Sequence, residues 1–236
     1  MKNIIEIKNV VKKYMQGKDI VYALDNISLD IKEKEILVIL GPSGSGKTTL
    51  LNVISGLDTV TSGKILYDTK NIAKFRDRKI TKFRKNNLGF IFQTYNLLEH
   101  LNVKENIMIG EFKRHNKELL EKILHDLNLK RHEKKYTYQL SGGEQQRVAI
   151  GRALIKKPKV MFCDEPTGAL DEKSGKKILQ SLVDVNNIYG TTILIVTHNP
   201  GIAAIGDRVL KMNSGKIVEI INNDKRTKPD NINWGN

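Results

Sequence analysis

Ile36-Leu37-Val38-Ile39-Leu40-Gly41-Pro42-Ser43-Gly44-Ser45-Gly46-Lys47-Thr48 is the stretch that decides the fold. Its apolar run leads straight into a segment that fits G-x-x-x-x-G-K-[ST]. The run reads as a strand buried on both faces, and Thr48-Thr49-Leu50-Leu51-Asn52-Val53-Ile54 reads as a helix. Strand, glycine-rich turn and helix in that order make a phosphate cradle. The glycines let backbone N–H groups wrap the phosphates, Lys47 neutralises the outer oxygens, and the Thr48 hydroxyl can ligate magnesium. The helix points its positive end at the anion. The alternative is a chance glycine-rich turn, against which the flanking strand and helix argue. The loop alone does not separate kinases, GTPases and ATPases.

Further apolar runs follow. Gly89-Phe90-Ile91-Phe92 ends at Gln93, Val160-Met161-Phe162-Cys163 ends at Asp164, and Ile193-Leu194-Ile195-Val196 ends at Thr197-His198. Such runs predict strands of a parallel sheet covered by helices, with ligands at the strands' carboxyl ends. Leu24 to Ile31 alternates like a half-buried strand, and the first ~30 residues read as strands and turns. Between Gln93 and Ser141 the texture becomes helical: Leu119, Leu120, Ile123, Leu124 and Leu127 form one stripe. The expected fold is α/β, a P-loop NTPase core with a mainly parallel sheet, an N-terminal antiparallel β subdomain and a small helical subdomain. The expected ranges are 1–221 for the nucleotide domain, about 94–157 for its helical part, and 222–236 for a flexible polar tail.

Asp164 and Glu165 close one predicted strand. An aspartate there can hold magnesium, and a glutamate one residue on can act as general base toward water. The bland reading is an acidic pair beginning a loop at Pro166. Leu140-Ser141-Gly142-Gly143-Glu144 fits the S-x-x-E capping box of a helix that Pro158 stops. Its two glycines also bare the helix N-terminus to a close anion. One nucleotide seldom needs two cradles from one chain, whereas a second chain would use the second. His198 could contact a γ-phosphate, although a lone histidine is more often structural.

Composition narrows the class. The chain has 236 residues, 39% hydrophobic and 28% charged, which suits one globular α/β domain. No stretch approaches the ~18 apolar residues of a membrane span, and no signal-peptide pattern opens the chain. Cys163 is the single cysteine, which excludes an intrachain disulfide and fits the cytosol. The net charge of +14 permits a polyanionic partner or a lysine-rich solvated surface, and its spread favours the latter. The densest basic segment, Lys74 to Lys85, carries Phe75, Ile80 and Phe83 at helical spacing.

Taken in order, these segments resemble the ATP-binding subunits of ABC transporters, over about Ile4 to Glu219. Gly41 to Thr48 is similar to the Walker A loop, Gln93 to the Q-loop glutamine, and Leu140 to Glu144 to the signature motif. Val160 to Asp164 is similar to Walker B with Glu165 as the catalytic glutamate, Ala169-Leu170-Asp171 to the D-loop, and His198 to the switch histidine. The resemblance implies ATP and Mg²⁺ as cofactors and an ATPase activity coupled to transport. It implies catalytic roles for Glu165, His198, Gln93 and Lys47, and metal contacts from Thr48, Gln93 and Asp164. Nucleotide contacts would come from Tyr14 on the adenine, from Gly41, Ser43, Gly44, Ser45, Gly46, Lys47, Thr48, Thr49 and Gln93, and across a dimer from Ser141, Gly142, Gly143, Glu144 and Asp171. Tyr22 is an alternative to Tyr14. Two chains would sandwich two ATP molecules and drive a separate transmembrane permease docked near Gln93, at the cytoplasmic face of the membrane.

Residues 163–171 and 93–98 most resemble the branch covering macrolide export, lipoprotein release and antimicrobial-peptide resistance. That implies a peptide, lipid-like or antibiotic-like cargo. An ABC-type ATPase acting with nucleic acid or a non-transport membrane complex is the alternative. The short spacing between Lys47 and Ser141 and the single nucleotide domain argue against nucleic acid as partner. Three positions depart from the family pattern: Lys34 where glycine is frequent, Thr137 where proline is, and Gly151 where alanine is. The segment between Gln93 and Ser141 also looks short.

Overall fold

Ile36, Val38 and Leu40 join one hydrophobic core, and the intervening Leu37 and Ile39 join another. A strand's side chains alternate between faces, so a run apolar at every position needs a core on each side. This computed structural model describes residues 2–111 and 116–234. Residues 112–115, inside the expected helical subdomain, and the extreme ends of the expected ranges lie outside the described residues.

The strands are β1 (Asn3–Gln16), β2 (Asp19–Lys32), β3 (Ile36–Leu40), β4 (Ser62–Tyr67), β5 (Lys70–Asn71), β6 (Leu88–Ile91), β7 (Val160–Asp164), β8 (Thr192–Thr197), β9 (Arg208–Asn213) and β10 (Lys216–Asn222). The α-helices are α1 (Lys47–Ser55), α2 (Asp77–Asn87), α3 (Val103–Met108), α4 (Lys117–Asp126), α5 (Gly142–Leu154) and α6 (Glu172–Tyr189). One sheet runs β10-β9-β3-β8-β7-β6, parallel except for β10. A second, antiparallel sheet runs β2-β1-β4-β5. This is the expected α/β core with an antiparallel β subdomain. One face of the large sheet packs on α5, α6 and the helices after Gln93, and the other on α1 and the small sheet. The four long apolar runs therefore lie side by side as β3, β8, β7 and β6, and their carboxyl ends share one edge. Among the described residues no helix is long and apolar enough to cross a membrane.

The departures from the family pattern have local explanations. Lys34 adopts φ 63°, the left-handed conformation that glycine favours. Its N–H donates to Thr192 Oγ1 (2.8 Å) and its carbonyl accepts from Asn186 Nδ2 (2.9 Å), so the same turn is built with a lysine. Gly151 is buried, and a methyl there would lie 3.1 Å from Ile107, so packing governs the position. Thr137 is buried in a 3-10 turn, and its carbonyl accepts from Gln145 Nε2 at 3.0 Å.

The polar stretch after Asn222, expected as a flexible tail, is instead packed against the core through residue 234. Arg226 forms two hydrogen bonds to Asp207, 2.7 and 2.6 Å, and a third to Asn186 (2.7 Å). Ile232 is buried, and Trp234 covers Gly175 so closely that a methyl there would overlap the indole. Charge pairing and isolated apolar anchors hold the segment, and neither leaves a periodic signature.

Candidate functional site

The phosphate loop is shaped by its neighbours as much as by its own glycines. Gly46 has φ 98°, and a methyl on it would lie 2.4 Å from the carbonyl oxygen of Ala23. Only glycine meets both conditions. Lys47 is buried and donates to the carbonyl oxygens of Gly41 (2.8 Å) and Pro42 (2.9 Å), arching over its own loop. Ser45 Oγ is buried and has no hydrogen-bond partner among the described residues, which leaves an oriented hydroxyl inside the loop.

Ser43, Gly44, Ser45, Gly46, Lys47, Thr48 and Thr49 line one cavity, and Glu165 and His198 line it from the adjacent strand ends. Glu165 has φ 48°, unusual for a residue with a side chain, at a cost of roughly 1–2 kcal/mol. Its N–H is held by the Val196 carbonyl at 2.9 Å. That turn sends the carboxylate from the end of β7 toward the end of β8, where Oε1 lies 2.9 Å from His198 Nδ1. The histidine side chain is 71% exposed and the carboxylate 18%, so the partner facing solvent is the ring. With Nδ1 on Glu165, Nε2 is left for whatever occupies the cavity.

Thr48 Oγ1 donates to Asp164 Oδ1 at 3.3 Å. Burial foremost, and also the neighbouring Glu165 charge, raise the Asp164 carboxyl above its ordinary range, while the Thr48 hydrogen bond and Lys47 oppose the rise. Hydroxyl and carboxylate oxygens side by side are hard donors that suit magnesium. Among the described residues no group of three or more His, Cys, Asp or Glu gathers to form a cage. Gln93 borders the same turn: its amide nitrogen lies 3.1 Å from where a methyl on Gly168 would sit.

The second cradle is elsewhere. Ser141 caps α5 through a reciprocal box, with Ser141 N donating to Glu144 Oε2 (2.8 Å) and Glu144 N to Ser141 Oγ (3.4 Å). Glu144 Oε1 lies 3.0 Å from the buried His132. Asp171 caps α6 by accepting from Ser174 N at 3.0 Å. The two helix starts adjoin, since a methyl on Gly143 would lie 3.7 Å from Ser174 Cβ. None of Ser141, Gly142, Gly143, Glu144 or Asp171 lines the phosphate-loop cavity of its own chain.

Tyr14 does not line that cavity either. Its hydroxyl donates to Asp58 Oδ2 at 2.6 Å, and the lining aromatic is Tyr22, with Val21 and Ala23 beside it. Tyr14 and Tyr22 lie on the paired strands β1 and β2, and the sequence spacing did not reveal which would border the loop. Sequence reasoning also missed Arg152, which donates to the carbonyls of Tyr95 and Asn96 just beyond Gln93. An arginine set among Ala149, Ile150, Gly151, Ala153 and Leu154 was the available signal.

The family model described as "ABC transporter" matches residues 24–168. The uncharacterized ABC transporter ATP-binding protein MJ0796 of Methanocaldococcus jannaschii is 41% identical, over 91% of this chain and 95% of its own. A putative ABC transporter ATP-binding protein of Mycoplasma pneumoniae, the MG065 homolog, is 42% identical over 98% of this chain. The chain spans 50% of that relative's length. Among solved structures, the dimeric post-hydrolysis MJ0796 cassette bound to ADP and Pi superposes with a TM-score of 0.82 at 38% identity, covering 92% of this chain and 98% of that one. The chain cbiO1 of Clostridium perfringens, part of the transporter complex cbiONQ, gives 0.85 at 30% identity, covering 94% and 89%.

Proposed function

The chain belongs to the ABC transporter family as an ATP-binding cassette, and we propose that it hydrolyses ATP between two copies of itself to drive a membrane-spanning partner. The contact between Glu165 Oε1 and His198 Nδ1 at 2.9 Å, on the rim of the phosphate-loop cavity, carries this reading. Lys47, once its bonds to Gly41 and Pro42 open, is placed by its length and burial to reach β and γ oxygens. The Ser45 hydroxyl and the loop N–H groups supply further donors. Glu165 accepts a proton from the attacking water, and His198 orients that water and the γ-phosphate.

Magnesium would be held by Thr48 and Asp164, with Gln93 beside them, and supplies charge neutralisation of the phosphates. Ser141, Gly142 and Gly143 stand apart from the cavity of their own chain and act on the nucleotide of the partner copy, with Asp171 at the same seam. The dimeric MJ0796 cassettes support this assembly by likeness.

The cargo is peptide-like, lipid-like or antibiotic-like, which residues 93–98 and 163–171 support by their resemblance to that branch. Coupling runs through the segment after Gln93 to a permease at the cytoplasmic membrane face. The test is Glu165→Gln. It should bind ATP, release phosphate at least about 100-fold more slowly, and elute as a dimer with ATP during gel filtration. Turnover near the parent rate would overturn the assignment.

A further inference from the structure

We propose that the exposed face of α2 is a docking surface for anionic phospholipid headgroups. Between Lys74 and Lys85 the chain carries seven basic residues and one carboxylate, Asp77. The helix cannot turn those charges inward, because Phe75, Ile80 and Phe83 pack against the core beneath the small sheet. Phe83 meets Tyr67 edge-on at 4.8 Å. Arg78 and Lys82 then stand one turn apart on the opposite side, with Lys85 next in the row.

Elsewhere this basic chain compensates many of its lysines: Lys2 and Lys12 reach Asp68 and Asp58, Lys130 reaches Glu121, and Lys211 reaches Glu219. On α2 the local bonds take up only part of the charge. Lys79 lies 4.0 Å from the centre of the Phe75 ring, and Arg84 donates to the Gly56 carbonyl. Lys74, Arg76, Arg78 and Lys82 are exposed and make no ion pair among the described residues. In the last turn of the helix, Lys85 lines a cavity together with Lys156, Lys157 and the carboxylate Glu111. Burial chiefly, with Arg152 nearby, lowers Lys156 to about 8, as expected where cations crowd.

The shape favours a lipid surface over a nucleic acid. The aromatics of this segment point into the core, so none is left to stack on bases. The charges form a short row on the solvent side of one helix whose apolar residues face the core, suited to a plane of headgroups. The helix also runs straight into β6, which leads to Gln93. The transporter reading is needed only for the nearness of a membrane, and vesicle binding is read without ATP.

The test is flotation with phosphatidylcholine vesicles with or without phosphatidylglycerol, at low and high salt. The triple variant Lys74→Gln, Arg78→Gln, Lys82→Gln is compared with a control of equal charge, Lys173→Gln, Lys177→Gln, Lys225→Gln. Each basic residue near an anionic surface contributes about fivefold in binding, so the α2 triple should weaken binding to the anionic vesicles on the order of 100-fold. The control should change it far less, salt should weaken the parent, and ATP turnover of the α2 triple should match the parent. Equal losses in both triples would overturn the proposal, as would equal binding to neutral vesicles or none to anionic ones. Tighter binding to duplex DNA, lost in the α2 triple, would also overturn it in favour of a nucleic acid. If no variant hydrolyses ATP, the ATPase reading fails while the vesicle result still stands.

Discussion

The guanidinium of Arg152, in the last turn of α5, donates to the backbone carbonyl of Tyr95 at 2.8 Å. Its other nitrogen reaches the Asn96 carbonyl. The helix opened by Ser141 thereby holds the chain directly after Gln93. Hydrogen bonds from a charged donor are individually worth about 1.5–3 kcal/mol.

Arg152→Lys keeps the charge and loses the fork. We expect ATP affinity to stay near the parent while kcat falls about tenfold, a barrier change of about 1.4 kcal/mol. The split between nucleotide titration and steady-state turnover checks this. Equal losses in affinity and kcat would point to general damage instead.

Asp164 should shape the pH dependence of stability. Its carboxyl, raised chiefly by burial, binds its proton more tightly in the folded chain than in the unfolded one. Stability from this group is therefore present at low pH and lost as pH rises through the folded value. Asp164→Asn should melt above the parent at neutral pH without nucleotide, and the gap should narrow toward about pH 4, near the unfolded carboxyl. Melting curves across pH check this, and a constant gap would contradict it.

The two glycines after Ser141 should behave differently. A methyl on Gly142 would lie 2.8 Å from Tyr95 Oη and 3.1 Å from Leu170 Cδ2, whereas one on Gly143 comes no closer than 3.7 Å to Ser174. Gly142→Ala should cost about 1–3 kcal/mol of stability. Gly143→Ala should fold as well as the parent and still lose ATP-driven dimerisation, if its open face meets the partner's nucleotide as proposed. Denaturation and gel filtration with ATP separate the two.

The docked C-terminal segment has its own reporter, since Trp234 is the only tryptophan. It packs on Gly175, and its carbonyl accepts from Asn199 Nδ2 at 2.8 Å, one residue past His198. Gly175→Val should expel the indole, shift its emission to the red, and lower stability by about 1–3 kcal/mol while the helix signal in circular dichroism persists. An unchanged emission would mean that the indole does not depend on this contact.

Much of the frame was legible because it rests on local patterns. The runs that became β3, β6, β7 and β8 are apolar at nearly every position, and two cores explain why. The S-x-x-E spacing at Ser141 is a capping box in the structure as well. Other features depend on residues distant in sequence. The docking of Arg226 on Asp207 depends on where β9 begins, and which of Tyr14 and Tyr22 lines the cavity depends on how β1 and β2 pair beside the loop.

By itself, the sequence determined the α/β class, the phosphate loop, the positions of the strand ends and the helix caps, because periodicity and capping act within a few residues. Tertiary structure alone decided which of those ends meet. It brought Glu165 to His198 across two parallel strands, kept Ser141 and Gly143 out of their own chain's cavity, and tied Arg152 to the chain beyond Gln93. Such contacts follow from strand order and backbone turns, among them the left-handed turn at Glu165, and no local pattern encodes them.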